Sequence, residues 1–221
     1  MKHLFIAAIA AGAVLASCGS GERAEEAKTG EAMEVTEVAE AQVYSIAANT
    51  TLNWRGFKKF IESEHVGTIA VAGGEFQVAE GKVVGGKVTI DMNNIIDTDL
   101  TDEGKNAYLV GHLKSDDFFD VANHPEATFE IVEVREAAGE GTNSVVVGNL
   151  TLRGTTNSIE FPANITVADN QVTFAAPTFS IDRTKWGANF HDENDPEIAA
   201  SLKDDLIAHE IELDFNLTAA L

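Results

Sequence analysis

Strict alternation of apolar and polar residues runs through most of this chain, and it limits the fold more than any other feature. Leu52 and Trp54 alternate with Thr51, Asn53 and Arg55, and Phe76 and Val78 with Glu75 and Gln77. Val88, Ile90 and Met92 alternate with Lys87, Thr89 and Asp91, and Leu150 and Leu152 with Thr151 and Arg153. Ile159, Phe161, Ala163, Ile165 and Val167 continue the pattern, as do Ile211, Leu213, Phe215 and Leu217. A period of two over so many residues means antiparallel strands with one dry and one wet face. The pairs Gly73-Gly74 and Gly85-Gly86 read as hairpin turns between them. Many such strands joined by turns make an all-β sandwich or barrel.

Two short helical segments interrupt the series. Thr101 to about Leu113 has a capping threonine and early acids, and Asp195-Pro196 opens a second helix that runs to Lys203. Between the first helix and the next strand lies His112 to Ile131. Ser115, Asp116 and Asp117 read there as a second helix start. Phe118, Phe119 and Val121 give it an apolar face, His124-Pro125 stops it, and Thr128 to Val134 resumes as strand. The two phenylalanines read either as a plug or cap for the sheet or as simple core filling.

The N-terminus has its own logic. Lys2 and His3 precede an uncharged run from Leu4 to Ala16, which fits a signal peptide and is short for a membrane span. The run ends Leu15-Ala16-Ser17-Cys18-Gly19, which resembles a bacterial lipoprotein signal: residues 1–17 would be removed and Cys18 lipidated. Cys18 is the only cysteine, so no internal disulfide is expected. Residues 18–42 hold seven glutamates between Glu22 and Glu40 and no aromatic residue. They read as a flexible acidic linker with nothing to pack on, leaving residues 43–221 as one domain of about 180 residues. The expected location is the envelope of a Gram-negative bacterium, with the anchor in a membrane facing the periplasm or at the cell surface.

A formal net charge of −21 makes nucleic acid an unsuitable partner and disfavours docking flat on anionic lipid. None of the six histidines sits in a metal-ligand spacing, and no nucleophile elbow, phosphate loop or dinucleotide fingerprint occurs. Asp97 to Glu103 begins like a calcium loop, but Asp102 stands where a glycine is needed and Tyr108 where a bidentate glutamate belongs. No metal site, cofactor or catalytic residue is expected.

The chain from Tyr44 to Leu221 resembles the YceI-like family of exported bacterial proteins. The resemblance rests on Leu52-Asn-Trp54, His65-Val-Gly-Thr-Ile69, Gly85-Gly-Lys-Val-Thr-Ile90 and Gly111-His-Leu-Lys-Ser-Asp-Asp-Phe-Phe119. It continues through His124-Pro-Glu-Ala-Thr-Phe129, Gly148-Asn-Leu-Thr-Leu-Arg-Gly154, Phe179-Ser-Ile-Asp-Arg183 and Trp186-Gly187, in family order. It implies an elongated, lipocalin-like antiparallel barrel of about eight strands that holds a polyisoprenoid, or a quinone with such a tail, along its axis. Trp54, Phe76, Phe129, Phe161, Phe174, Phe179 and Leu213 would line the interior, with Phe118 and Phe119 at one end. His112, Arg183 and Trp186 are the candidates to meet a polar head group. Two function classes follow: a lipid-anchored carrier, store or sequestering protein for an isoprenoid lipid, or a structural or stress-related envelope lipoprotein with a filled barrel. The oligomeric state is open, a homodimer included.

Overall fold

The computed structural model describes residues 23–221 except 37, 39, 48, 49, 140, 193 and 195–200. Its elements are β1 (Lys28–Glu31), β2 (Gln42–Ile46), β3 (Thr51–Lys58), β4 (Glu64–Ala79), β5 (Lys82–Asp97), α1 (Glu103–Lys114), β6 (Glu126–Gly139), β7 (Thr142–Leu152), β8 (Thr155–Ala168), β9 (Gln171–Asp182) and β10 (Ile207–Ala220). Every strand from β3 to β10 pairs antiparallel with the next, and β10 returns to β3, which closes a barrel. β2 and β3 both lie between β4 and β10, so together they form one interrupted stave. That makes eight staves, as the family resemblance implies.

The alternation becomes inside and outside. Phe76, Phe129, Phe161, Phe174 and Leu217 are buried in the barrel, while Thr51, Asn53 and Glu75 point to solvent. Three hairpins turn tightly at Glu80-Gly81, Arg153-Gly154 and Asp169-Asn170, with both residues of each pair at positive φ. That is the conformation whose twist matches paired strands. The glycine pairs read as turns lie elsewhere: Gly73 and Gly74 sit inside β4, and Gly86 inside β5. A Cβ on Gly74 would stand 2.2 Å from the Lys87 carbonyl oxygen, and one on Gly86 2.5 Å from that of Glu75. These glycines let two long strands bend across each other, which is the other use of glycine within a strand.

α1 starts one residue later than its threonine suggests: Asp102 is the cap, its carboxylate accepting from Lys105 N–H at 2.9 Å. Ser115 ends α1 and does not begin another helix. Its hydroxyl donates back to the His112 carbonyl at 2.8 Å, and Phe118 and Phe119 follow in turns. The start of the second expected helix, at Asp195-Pro196, lies outside the described residues; Lys203–Asp205 forms a 3-10 turn.

The largest correction concerns the acidic segment. Residues 23–33 do not hang free. β1 pairs with β8 from Lys28 opposite Glu160 to Glu31 opposite Asn157. Just before it, Ala27 N–H donates to the Ser180 carbonyl at 2.8 Å, and Ser180 N–H to that of Glu25 at 3.0 Å. The reason lies in the barrel. β8 pairs with β9 only through residues 164–168, opposite 171–175. Beyond that point the two strands separate, and the N-terminal segment fills the gap with its own backbone. Ala27 is buried there, and Lys28, Lys185 and Arg23 pair with Glu160, Glu26 and Glu210 along the seam. A segment whose one large apolar side chain, Met33, stays exposed docks because an open strand edge offers backbone hydrogen bonds that do not depend on side-chain type.

A candidate ligand cavity inside the barrel

The barrel interior is divided. One half is filled by rings: Phe161 stacks on Phe179 at 4.5 Å between centroids, and Phe215 meets Phe174 edge-on at 5.3 Å. Phe129 and Phe76 close the cluster at 5.5 Å from Phe161 and 5.4 Å from Phe174. Only about 60 Å³ is left between these rings. The other half holds a cavity of about 260 Å³ under α1. Aliphatic side chains from many staves line it, including Ile69, Met92, Ile95, Leu152 and Ile181. Leu52, Ile90, Leu150 and Leu213 border both spaces and mark the boundary between the halves.

Leu109, His112 and Leu113 of α1, with Phe118 and Phe119, cover the end of the cavity. Both phenylalanines are buried, so the stretch after α1 forms a cap that reaches the cavity. Arg153 holds this cap in place. Its guanidinium donates to the carbonyls of Phe118, Asp116 and Gly187, at 3.0, 2.7 and 2.5 Å. On another side the wall runs past the point where β3 and β10 lose register, between Ile207 and Ile211. Lys58, Ser63, His65 and Glu210 line this side and are all partly exposed.

The expected site residues separate into groups. Trp54, Phe118, Phe119 and Leu213 line the large cavity. Trp54 also donates to the Ile96 carbonyl at 3.2 Å and lies against Gly67, where a Cβ would come within 2.7 Å of its indole nitrogen. Phe129, Phe161, Phe174 and Phe179 belong to the filled half, and Phe76 lies behind them, fully buried.

The head-group candidates separate too. His112 lines the cavity, packed edge-on against Phe190 at 4.4 Å and Phe118 at 5.3 Å, with Nε2 3.4 Å from Asp117. Trp186 is a core residue, its indole N–H donating to the Leu150 carbonyl at 2.9 Å. Arg183 borders the cavity but is 0% exposed, and its donors are committed to the carbonyls of Ala208, Ala188, Phe190 and Ile207. Burial lowers its pKa, while the charges of Asp192 and Asp182 act in the opposite direction. It clips the chain at 188–190 to the start of β10, and so does structural work at the cavity wall.

Sequence reasoning missed the aliphatic liners, Arg153, and the cover over Glu212. Glu212 does alternate outward from Leu213, yet it is only 4% exposed. Its carboxylate accepts from Ala24 N–H at 2.9 Å and lies 3.4 Å from the Arg55 guanidinium, under the docked N-terminal segment. Period-two alternation reports the face of a strand and carries no sign of what covers that face.

This geometry defines a class: a closed antiparallel barrel whose interior is part packed core and part apolar ligand-sized cavity. The chain belongs to the YceI-like domain family, whose model matches residues 44–219. A UPF0312 protein of Pseudomonas aeruginosa is 32% identical over 130 residues, which span 55% of this chain and 63% of that relative. One of Pectobacterium atrosepticum is 31% identical over the same length. Each alignment thus spans under two thirds of the relative. Among solved structures, BcnA of Burkholderia cenocepacia matches with a TM-score of 0.53 at 20% identity, covering 77% of this chain and 96% of that one. A polyisoprenoid binding domain from Saccharophagus degradans matches with a TM-score of 0.57 at 17% identity, covering 80% and 97%. At these identities the two structures establish the shared fold.

Proposed function

We propose that this protein is an exported, lipid-anchored binding protein that holds a polyisoprenoid or isoprenoid-quinone-like lipid in the barrel, as carrier, store or sequestering agent. The observation that carries the reading is the apolar cavity of about 260 Å³ beneath α1. An engineered dry cavity of about 150 Å³ already binds an apolar guest. Ten buried methylene-sized groups would contribute about 8 kcal/mol before the costs of ordering the chain. That the Saccharophagus neighbour is a polyisoprenoid binding domain supports the same ligand class. The ring cluster sets a limit: a tail enters the half under α1, and goes further only if Phe161 and Phe179 separate. Solvent extraction of the folded protein followed by mass spectrometry tests the proposal. A stoichiometric long-chain isoprenoid supports it; protein that arrives empty and takes up no added isoprenoid would favour the structural envelope lipoprotein.

Leu213→Trp separates cavity from core. Leu213 faces both spaces, so the larger ring has open volume to enter, and delipidated protein should lose little stability. Displacing about three methylenes of a bound chain would cost about 2.4 kcal/mol, or about fiftyfold in affinity. Asn216→Trp, at an exposed position of the same strand, is the control and should leave both properties unchanged. A loss of about 1–3 kcal/mol in the delipidated Leu213 variant, as overpacking would produce, would show that the space is not available.

Anchoring rests on Cys18, which lies outside the described residues. Cys18→Ser should move the protein from the membrane fraction to the soluble fraction. Retention in membranes after a high-salt wash would remove the lipoprotein part of the proposal and leave the cavity reading intact.

A further inference from the structure

Folding brings the loop that fails as a calcium loop beside a histidine of β4. Pairing of β4 with the end of β5 brings His65 beside Asp97 and Asp99. His65 Nδ1 lies 3.0 Å from Asp99 Oδ2 and 4.0 Å from Asp97 Oδ2, and all three atoms fall within 4.8 Å of one another. Four-coordinate zinc with bonds of about 2.0–2.1 Å places its ligand atoms about 3.3 Å apart, so small side-chain movements would convert this triangle into one face of such a site.

Hydrogen bonds hold both carboxylates in place. Asp97 Oδ1 accepts from Leu100 N–H at 3.0 Å and from the Asn106 amide at 2.9 Å. Asp99 Oδ1 accepts from Val66 N–H at 2.9 Å. Thr98 ties the loop to the Val66 carbonyl through both its N–H and its hydroxyl. Each Oδ1 is thus used in orienting its carboxylate; Asp99 Oδ2 is hydrogen-bonded to His65 Nδ1, and Asp97 Oδ2 faces the same nitrogen at 4.0 Å. Among the described residues Asp97 Oδ2 is the exception to satisfied burial: its side chain is 0% exposed and this oxygen has no hydrogen-bond donor. A buried carboxylate oxygen beside a second carboxylate calls for a cation or a shared proton. Burial raises the pKa of Asp97, which makes the proton the competing occupant.

We infer that His65, Asp97 and Asp99 form a binding site for one divalent transition-metal ion of the zinc class. One imidazole nitrogen with two carboxylate oxygens suits such an ion better than calcium, which takes six to eight oxygens. Three protein ligands leave at least one position for water or an anionic group. His65 also lines the apolar cavity and is partly exposed, so the ion would sit at the cavity wall. The site stands whether or not the cavity holds a lipid.

The test uses the full chain, purified in detergent, stripped with EDTA and titrated with zinc chloride at pH 7.5 by calorimetry, with melting curves before and after. One equivalent should bind and raise the melting temperature. Asp97→Asn keeps the oriented oxygen and lets its amide donate to Asp99, so this variant should fold and melt at least as high as the metal-free parent. Zinc affinity should fall in Asp97→Asn and in His65→Gln by more than the roughly 10–100-fold that loss of an outer-shell partner costs. Absence of stoichiometric zinc in the parent would leave the shared proton as the only occupant and overturn the inference. Parental affinity retained in either variant would overturn it as well, because the ion would then lie elsewhere.

Discussion

A chain that begins at Val43 should melt about 6–12 °C or more below one that keeps residues 23–42. The composition of the acidic segment argues for no effect; its contacts argue for a large one. Truncation removes the β1–β8 ladder and both backbone bonds to Ser180. Each lost bond contributes about 0.5–1.5 kcal/mol net, and a buried group left unpaired costs about 1–3 kcal/mol. Such groups exist. Asn149 is buried, its amide accepting from Met33 N–H at 2.9 Å and donating to the Met33 carbonyl at 2.7 Å. Ser180 is buried as well, and Glu212 loses its partner at Ala24. A loss of about 3 kcal/mol follows, at about 2–4 °C per kcal/mol for a domain of this size. The surface ion pairs along the seam add little. The same truncation leaves β8 and β9 apart, so it should also speed the escape of a bound apolar probe. Melting curves and probe off-rates on the two chains decide the matter. Equal melting temperatures would show that the segment rests on the barrel without stabilising it.

Arg183→Met should cost about 3–5 kcal/mol, on the order of 10 °C in melting temperature. The substitution removes a buried cation together with its four carbonyl contacts, and a methionine can donate to none of those oxygens. Arg183→Lys keeps the charge, but its compact ammonium lacks the planar fork that reaches four separated carbonyls, so it should recover only part of the loss. The Arg183 side chain also lies 5.4 Å from the centre of the Phe118 ring, so its loss should loosen the cap. Urea melts of the three proteins, with lipid loading measured alongside, separate the two roles proposed for this residue. Lost stability identifies a structural clip. Loading that falls while the melt stays within a degree or two would instead identify a head-group ligand.

Much of the fold follows from short-range pattern. Alternation at 51–55, 87–92, 159–167 and 210–217 marked strands and their inner faces, because a strand sends successive side chains to opposite sides whatever it pairs with. Ordered family motifs supplied the barrel. Local reasoning failed where the same residue type has two uses. Gly73, Gly74 and Gly86 carry positive φ as turn glycines do, but they use it to bend paired strands. Ser115 has the chemistry of an N-cap and serves at a C-terminus, because α1 was already complete when the chain reached it.

Determined by sequence alone are the all-β class, the inner face of each alternating strand and the absence of an internal disulfide, since periodicity and residue counts need no partner. Tertiary structure alone decided the rest. It set which half of the barrel is filled and which is hollow, because that depends on whether rings from Phe161, Phe179 and Phe215 meet across the interior. It drew the acidic N-terminal segment into the seam, because the gap between β8 and β9 exists only in the closed barrel. It also assembled His65 with Asp97 and Asp99 from positions more than thirty residues apart, which antiparallel register places side by side and linear spacing does not.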